Sequence, residues 1–182
     1  MKLTSRFATM ADIPALTAVI GRAIGQLQAG FLTPKEIRAS HQVMGLDTQL
    51  LHDGTYFILQ DGEAIAGCGG WSFRKTLFGG DASVIDREPA ALDPAVDAAR
   101  IRAMYTDPEY ARRGVGRVIL RQCEDTARST GFRRAEMMAT LAGEPLYRAC
   151  GYVRLGEPIA VPTIGPPVPL VRMDKVFDPR RG

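Results

Sequence analysis

At 182 residues with 46% hydrophobic content, the chain has the size of one compact domain able to bury a substantial core. A formal charge of +3, carried largely by arginines near the middle and the tail, argues against nucleic acid, whose binders concentrate basic charge in a stripe. Cys68, Cys123 and Cys150 lack metal-ligand spacing and read as buried reduced thiols, the chain turns polar directly after Met1, and no apolar run is long enough for a membrane span. These features predict a single cytoplasmic domain over 1–182 with no metal site.

Residues 3–8 fit a first strand. Asp12 is a candidate helix N-cap with Pro14 in the first turn, where its missing N–H does no harm. Ile13, Leu16, Val19, Ile20 and Ile24 then repeat at helical spacing, predicting an amphipathic helix that ends before Gly30. Thr33-Pro-Lys-Glu36 has the capping-box pattern and predicts a second helix reaching about Met44. Residues 55–60 and 64–72, joined by Asp61-Gly62, predict a β-hairpin. Its second strand holds Gly67-Cys-Gly-Gly-Trp71, glycine-rich enough to weaken it or to admit another backbone or a ligand. Trp71 suits either a core position or a pocket wall. Periodicity then fails from 73 to 98, a long insertion that fits a lid or a passive solvated loop.

A strand over 99–106 leads into Asp107-Pro-Glu-Tyr-Ala-Arg-Arg-Gly-Val-Gly-Arg117. The following helix places Val115, Val118, Ile119, Cys123 and Ala127 on one face, pairs Glu124 with Arg128, and stops at Gly131. Residues 133–140 form the next strand, parallel to the previous one because a helix crossover joins them. A short helix fits between Pro145 and Gly151, followed by strands over 152–161 and 168–177 around a proline-rich turn and then a frayed tail.

The strand-turn-helix at 107–117 carries the chemistry. The first N–H groups of a helix lack internal partners and sit at the positive end of the dipole, so the turn attracts anions. Gly114 and Gly116 let an oxygen approach the main chain, and Arg112, Arg113 and Arg117 add guanidinium forks suited to phosphate. This reads as a pyrophosphate cradle, although a packing turn beneath a solvated arginine face has the same features. Two rival phosphate motifs fail: a dinucleotide fingerprint needs glycine where Ile119 stands, and a Walker loop needs Lys-Ser/Thr where Arg117-Val118 stand.

Together, this order of elements and the segments Ala111-Arg-Arg-Gly-Val-Gly116, Pro145-Leu-Tyr147 and Gly151-Tyr152 resemble the GNAT superfamily of acetyl-CoA-dependent N-acetyltransferases. The resemblance covers most of the chain, departing at Ala111, where the family usually has Gln or Arg, and at Ala142, where it often has Asn. It implies an α/β fold with a mixed, mostly antiparallel central sheet, flanking helices and one parallel strand pair. It also implies direct transfer of an acetyl group from acetyl-CoA, the co-substrate, to an amine. The main chain at Met104, Tyr105 and Thr106 would meet the pantetheine arm and acetyl carbonyl. The amides of Arg112, Arg113, Gly114, Val115, Gly116 and Arg117 would hold the pyrophosphate.

Tyr147 takes the position of the family's usual acid, protonating the departing thiolate. Asp107, Glu109, Glu136 and Glu144 are near the expected site but suit surface or ion-pair roles, so the base is unassigned, and His41 and His52 read as surface residues. A small-molecule amine is the favoured acceptor; a protein N-terminus or lysine, or acyl-CoA binding without turnover, are the alternatives. No nucleic-acid or membrane partner is expected, and a homodimer is left open.

Overall fold

Large apolar residues fill Tyr56–Asp61 so that Phe57 and Leu59 face one way, Tyr56 and Ile58 the other, and all four are buried. A strand buried on both faces belongs inside a sheet covered on both sides. The computed structural model, which describes residues 2–177, has this arrangement. Its strands are β1 (Leu3–Phe7), β2 (Tyr56–Asp61), β3 (Ala64–Ser72), β4 (Ala99–Thr106), β5 (Arg134–Thr140), β6 (Val153–Arg154), β7 (Ile159–Val161) and β8 (Val168–Val176). They form one sheet in the order β1-β2-β3-β4-β5-β8-β6, with β7 also on β8. Every pairing is antiparallel except β4 with β5. The expected mixed sheet with one parallel pair is therefore observed.

Helices α1 (Ile13–Leu27), α2 (Pro34–Ser40) and α3 (Thr48–His52) precede β2, α4 (Val115–Ser129) joins β4 to β5, and α5 (Glu144–Ala149) follows β5. Leu16, Ile20 and Ile24 of α1 pack with Leu50, Tyr56, Ile58 and Cys68 on one face of the sheet. Ile119, Leu120, Cys123 and Ala127 of α4 pack with Phe57, Leu59, Ile101, Ala135 and Met137 on the other. Trp71 belongs to this second core, edge-on to Phe73 and Phe132 at 6.1 and 5.9 Å. Gly67 and Gly69 admit α4: a Cβ on Gly67 would stand 2.6 Å from Val115 Cγ1, and one on Gly69 would stand 2.8 Å from Ile119 Cγ2. All three cysteines are free, with Cys68 and Cys123 buried.

Several expectations need correction. The second helix stops at Ser40, whose hydroxyl donates back to the Glu36 carbonyl at 2.9 Å, and turns replace its last residues. The capping box that starts it is present, with Thr33 N donating to Glu36 Oε2 at 2.7 Å. Helix α3, capped by Asp47, was not expected from the sequence. The strand over 152–161 is two short pieces separated by Gly156, at φ 79°, and Pro158. On α4, Val118 is exposed and Leu120 is buried in its place. Glu124 is buried and bound to Lys175 of β8 at 2.9 Å, while the Arg128 guanidinium lies over the Phe177 ring at 4.8 Å. The tail over 178–182 lies outside the described residues.

The insertion is pinned. Leu92 N donates to Phe73 O at 2.8 Å and Lys75 N to Ala90 O at 3.0 Å, folding its two ends together. Arg74 makes a forked ion pair with Asp53, both bonds 2.7 Å, and Arg87 bridges Asp47 at 2.7 Å and Asp81 at 3.0 Å. Among the described residues no helix is long and apolar enough to cross a membrane.

Two tests follow from this packing. Gly67→Ala forces its new methyl against Val115 and, at 2.8 Å, the Tyr105 carbonyl, so denaturant melts should show a loss of about 1–3 kcal/mol. The second concerns Tyr56 and Tyr105, whose phenols burial pushes up from their ordinary value. Above about pH 10 the unfolded chain releases protons that the native state keeps, so stability is full below that value and falls as pH rises through it. Denaturant titrations across that range should show the fall, and Tyr56→Phe should flatten it.

Candidate functional site

The parallel ladder between β4 and β5 holds only at its start, where Ala99 faces Ala135 and Arg100 faces Glu136. Glu136, buried, pairs there with Arg100 and, at 2.6 Å, with Arg172 of β8. Beyond that clamp the strands part. β5 continues along β8 as far as Thr140 opposite Leu170, while β4 continues along β3 as far as Thr106 opposite Gly67. The β4 register shifts between Cys68 and Gly70 of its partner, and within this bulge Ala103 takes a left-handed φ of 49°. The Tyr56 hydroxyl donates to the Ala103 carbonyl at 2.7 Å and fixes the distortion.

A cavity of about 80 Å³ lies at this parting. Met104 and Tyr105 of β4, Met138 and Thr140 of β5, Tyr147 of α5 and Phe78 of the insertion are among its lining residues. Tyr105 reaches across it to Gly45, accepting from the amide at 2.8 Å and donating to the carbonyl at 3.2 Å. The Arg102 guanidinium is buried, bonded to the carbonyl of Gly79 at 2.6 Å and set 2.8 Å from Asp47 Oδ2. That carboxylate oxygen has no hydrogen bond, so its contact with Arg102 is Coulombic rather than a directed bond.

Beyond Thr106 the chain makes a 3-10 turn, Pro108–Tyr110, capped by Asp107, which accepts from Glu109 N at 3.0 Å and from Arg22 Nε at 3.0 Å. Arg112 then takes φ 64° and Gly114 φ 84°, turning the chain sharply into α4. The first internal bond of α4 runs from Val118 N to Gly114 O at 3.1 Å. The amides of Val115, Gly116 and Arg117 therefore precede any helical partner. Apart from its chain neighbours, no atom lies within 4 Å of where a Gly114 Cβ would stand, so the turn is open at Gly114. A Cβ on Gly116 would stand 2.7 Å from Leu146 Cδ2 and 3.6 Å from Thr106 Oγ1, so α4 begins against the end of β4 and against α5. Arg112, Arg113 and Arg117 are exposed around the turn, Arg113 lying over the Tyr110 ring at 5.7 Å.

Tyr147 follows Leu146 on α5. Its ring is buried, edge-on to Tyr152 at 6.1 Å, and a Cβ on Gly143 would come within 3.0 Å of it. Its hydroxyl has no hydrogen-bond partner among the described residues. Burial raises the phenol well above its ordinary value, so it keeps its proton at neutral pH.

The structure thus brings Met104, Tyr105 and Tyr147 to one cavity, and sets Thr106 beside the turn that carries Arg112, Arg113, Gly114, Val115, Gly116 and Arg117. Three of the four carboxylates weighed as a base are engaged: Asp107 with Arg22, Glu136 as above, and Glu144 with Arg154 at 2.7 Å. Glu109, His41 and His52 are exposed and line no part of the cavity. Trp71 is core and not pocket wall. Thr140, Met138, Leu77 and Phe78 line the cavity and were not singled out by sequence; the adjacent large apolar pair Leu77-Phe78 near the start of the insertion was the available signal. Among the described residues no cluster of His, Cys, Asp and Glu could hold a metal ion.

Solved structures share this architecture. The PaiA N-acetyltransferase from Thermoplasma acidophilum, in complex with coenzyme A, aligns over 97% of this chain and 100% of its own at TM-score 0.66 and 13% identity. An acetyltransferase from Salmonella typhimurium with its cofactor acetyl-CoA aligns over 100% of this chain and 98% of its own, at TM-score 0.63 and 17% identity. A ribosomal-protein-alanine N-acetyltransferase from Brucella melitensis aligns over 96% of this chain and 99% of its own, at TM-score 0.64 and 19% identity. No curated protein sequence matches the chain. The Acetyltransferase (GNAT) family model matches residues 24–152, most of the chain's length, and the chain belongs to that family.

Proposed function

We propose that this protein is an acetyl-CoA-dependent N-acetyltransferase acting on a small-molecule amine. One observation carries the reading: a row of unpartnered helix-start amides stands at the end of a strand that parts from its neighbour, and the parting leads to a cavity lined by a protonated tyrosine. Coenzyme A has the matching shape, with a pyrophosphate, an amide-bearing arm and a reactive thioester in sequence. The crystallised complexes of the Thermoplasma and Salmonella enzymes with coenzyme A and acetyl-CoA support the same ligand here.

The amides of Gly114, Val115, Gly116 and Arg117 donate to the pyrophosphate, and the left-handed turn at Arg112 and Gly114 aims them at one point. Arg112, Arg113 and Arg117 neutralise the remaining charge, with little energy per exposed pair. The free edge of β4 at Met104, Tyr105 and Thr106 takes the arm as a short added strand, its main chain offering bonds that β5 leaves unused there. When bound, acetyl-CoA supplies an acetyl group activated as a thioester. A backbone N–H directed at its carbonyl contributes ~2.7–4 kcal/mol of the kind measured for oxyanion donors. Tyr147, held neutral by burial, donates to the departing sulfur. The narrow cavity, walled on one side by the pinned insertion, supports a small acceptor over a protein side chain.

Two substitutions separate binding from chemistry. Gly114→Asp must hold a side chain at φ 84° and sets a negative charge in the cradle, so coenzyme A affinity by calorimetry should fall about tenfold or more. Tyr147→Phe should leave that affinity unchanged and lower kcat by ~10²–10⁴-fold. Full turnover by Tyr147→Phe would remove its role as acid, and heat stabilisation by acetyl-CoA without release of the CoA thiol in the presence of any amine would mark a binding module instead.

A further inference from the structure

The cavity wall has a chemical character of its own. Its titratable members are Arg102, Tyr105 and Tyr147, and apart from Thr140 the rest is apolar or glycine. None of the three gives a cation a counter-ion or an amine a base. Arg102 is bound to Thr76 O at 3.2 Å and Gly79 O at 2.6 Å and faces Asp47, Tyr105 is bound to Gly45, and burial keeps Tyr147 protonated. The neighbouring carboxylates are engaged by arginines: Asp47 by Arg87 and Arg102, Glu136 by Arg100 and Arg172, Glu144 by Arg154, Asp107 by Arg22. Phe78, Met138 and Leu170 of the wall belong to a hydrophobic cluster with Ala39, Val43, Val161 and Val168. A cation brought there would lose its hydration without compensation.

We propose that the acceptor is a small amine with an apolar body and no second cationic group, bound as its free base. The inference rests on the transferase reading above. The body lies against Phe78, Met138 and Leu170, with the nitrogen toward Tyr147. The nitrogen lone pair forms the C–N bond, the C–S bond breaks with its electron pair going to sulfur, Tyr147 protonates that sulfur and regains a proton from water, and the acylated nitrogen releases a proton to water. With no base in the wall, the acceptor's own pKa sets how much of it is competent.

The test compares matched amines by kcat/KM at saturating acetyl-CoA, from neutral to alkaline pH. Butylamine should exceed diaminobutane by about tenfold or more, since the second ammonium finds no partner. For benzylamine and a nitro-substituted benzylamine, the alkaline rise of kcat/KM should inflect at each amine's own pKa. Diaminobutane ahead of butylamine, or one inflection shared by every amine, would overturn the proposal. Phe78→Glu, which sets a carboxylate in the wall, should reverse the butylamine preference while acetyl-CoA still raises the melting temperature; an unchanged preference with that stabilisation intact would also overturn it. Acetyl-CoA binding with no thiol release from any amine would sink the transferase reading and this inference with it, whereas turnover that favours dications sinks the inference alone.

Discussion

β4 and β5 are held together at one end and apart at the other, and the candidate site follows from that divergence. At the closed end, Glu136 binds an arginine from β4 and another from β8, so three strands converge on one buried carboxylate. At the open end, the Ala103 bulge rotates β4 away from the register it would need to rejoin β5, and the Tyr56 hydroxyl satisfies the carbonyl that this turns out of the ladder. Arg102, one residue before the bulge, is buried against the insertion, where its guanidinium donates to the Gly79 carbonyl. The outer edge of β1 faces solvent at one end of the sheet; between β4 and β5 two facing edges stay available inside the molecule.

Cores on both faces of the sheet stabilise this opening. Tyr56 contributes its ring to the core beside α1, while its hydroxyl holds the β4 bulge. Gly67 and Gly69 bring α4 close enough to β3 that its first turn meets the end of β4, which sets the free amides at the mouth of the divergence. Leu146 and Tyr147 are neighbours on α5, one packed under the first turn of α4 and the other lining the cavity. The free amides at the start of α4 and Tyr147 are thus fixed relative to each other by direct packing of Leu146 against Gly116.

Legibility in the sequence followed the range of the forces. The turn at 107–117 was readable because its determinants are local: glycine at a left-handed position, arginines, and an amphipathic helix directly after. The parallel pair was readable because a helix crossover leaves little choice. Tyr147 was singled out through its motif and not through any physical pattern, since a tyrosine after Pro145 fits packing as well as acid chemistry; the structure places it in the cavity wall. Glu124 was assigned to Arg128, its neighbour along the helix, but Lys175 arrives from β8 to take the carboxylate while Arg128 lies over the Phe177 ring. The insertion looked structureless because the contacts that anchor it to the rest of the fold are long-range, made by Arg74 with Asp53 and by Asp47 with Arg87 and Arg102. No periodicity encodes such pairs, and for the same reason Phe78 and Thr140 were missed as cavity residues.

The same arginines account for the character of the cavity. An unpaired buried carboxylate would be costly, and each one near the parting is neutralised by a guanidinium from a different element. That pairing fixes the insertion, the bulge and the closed end in place, and it also takes the available anions out of the pocket. Rigid framing and the lack of a carboxylate among the described residues of the cavity wall then share one physical origin. Under the proposed transfer, the protonation of the acceptor is settled in solution before it arrives, and the protein's own proton chemistry is confined to Tyr147, which lines the cavity.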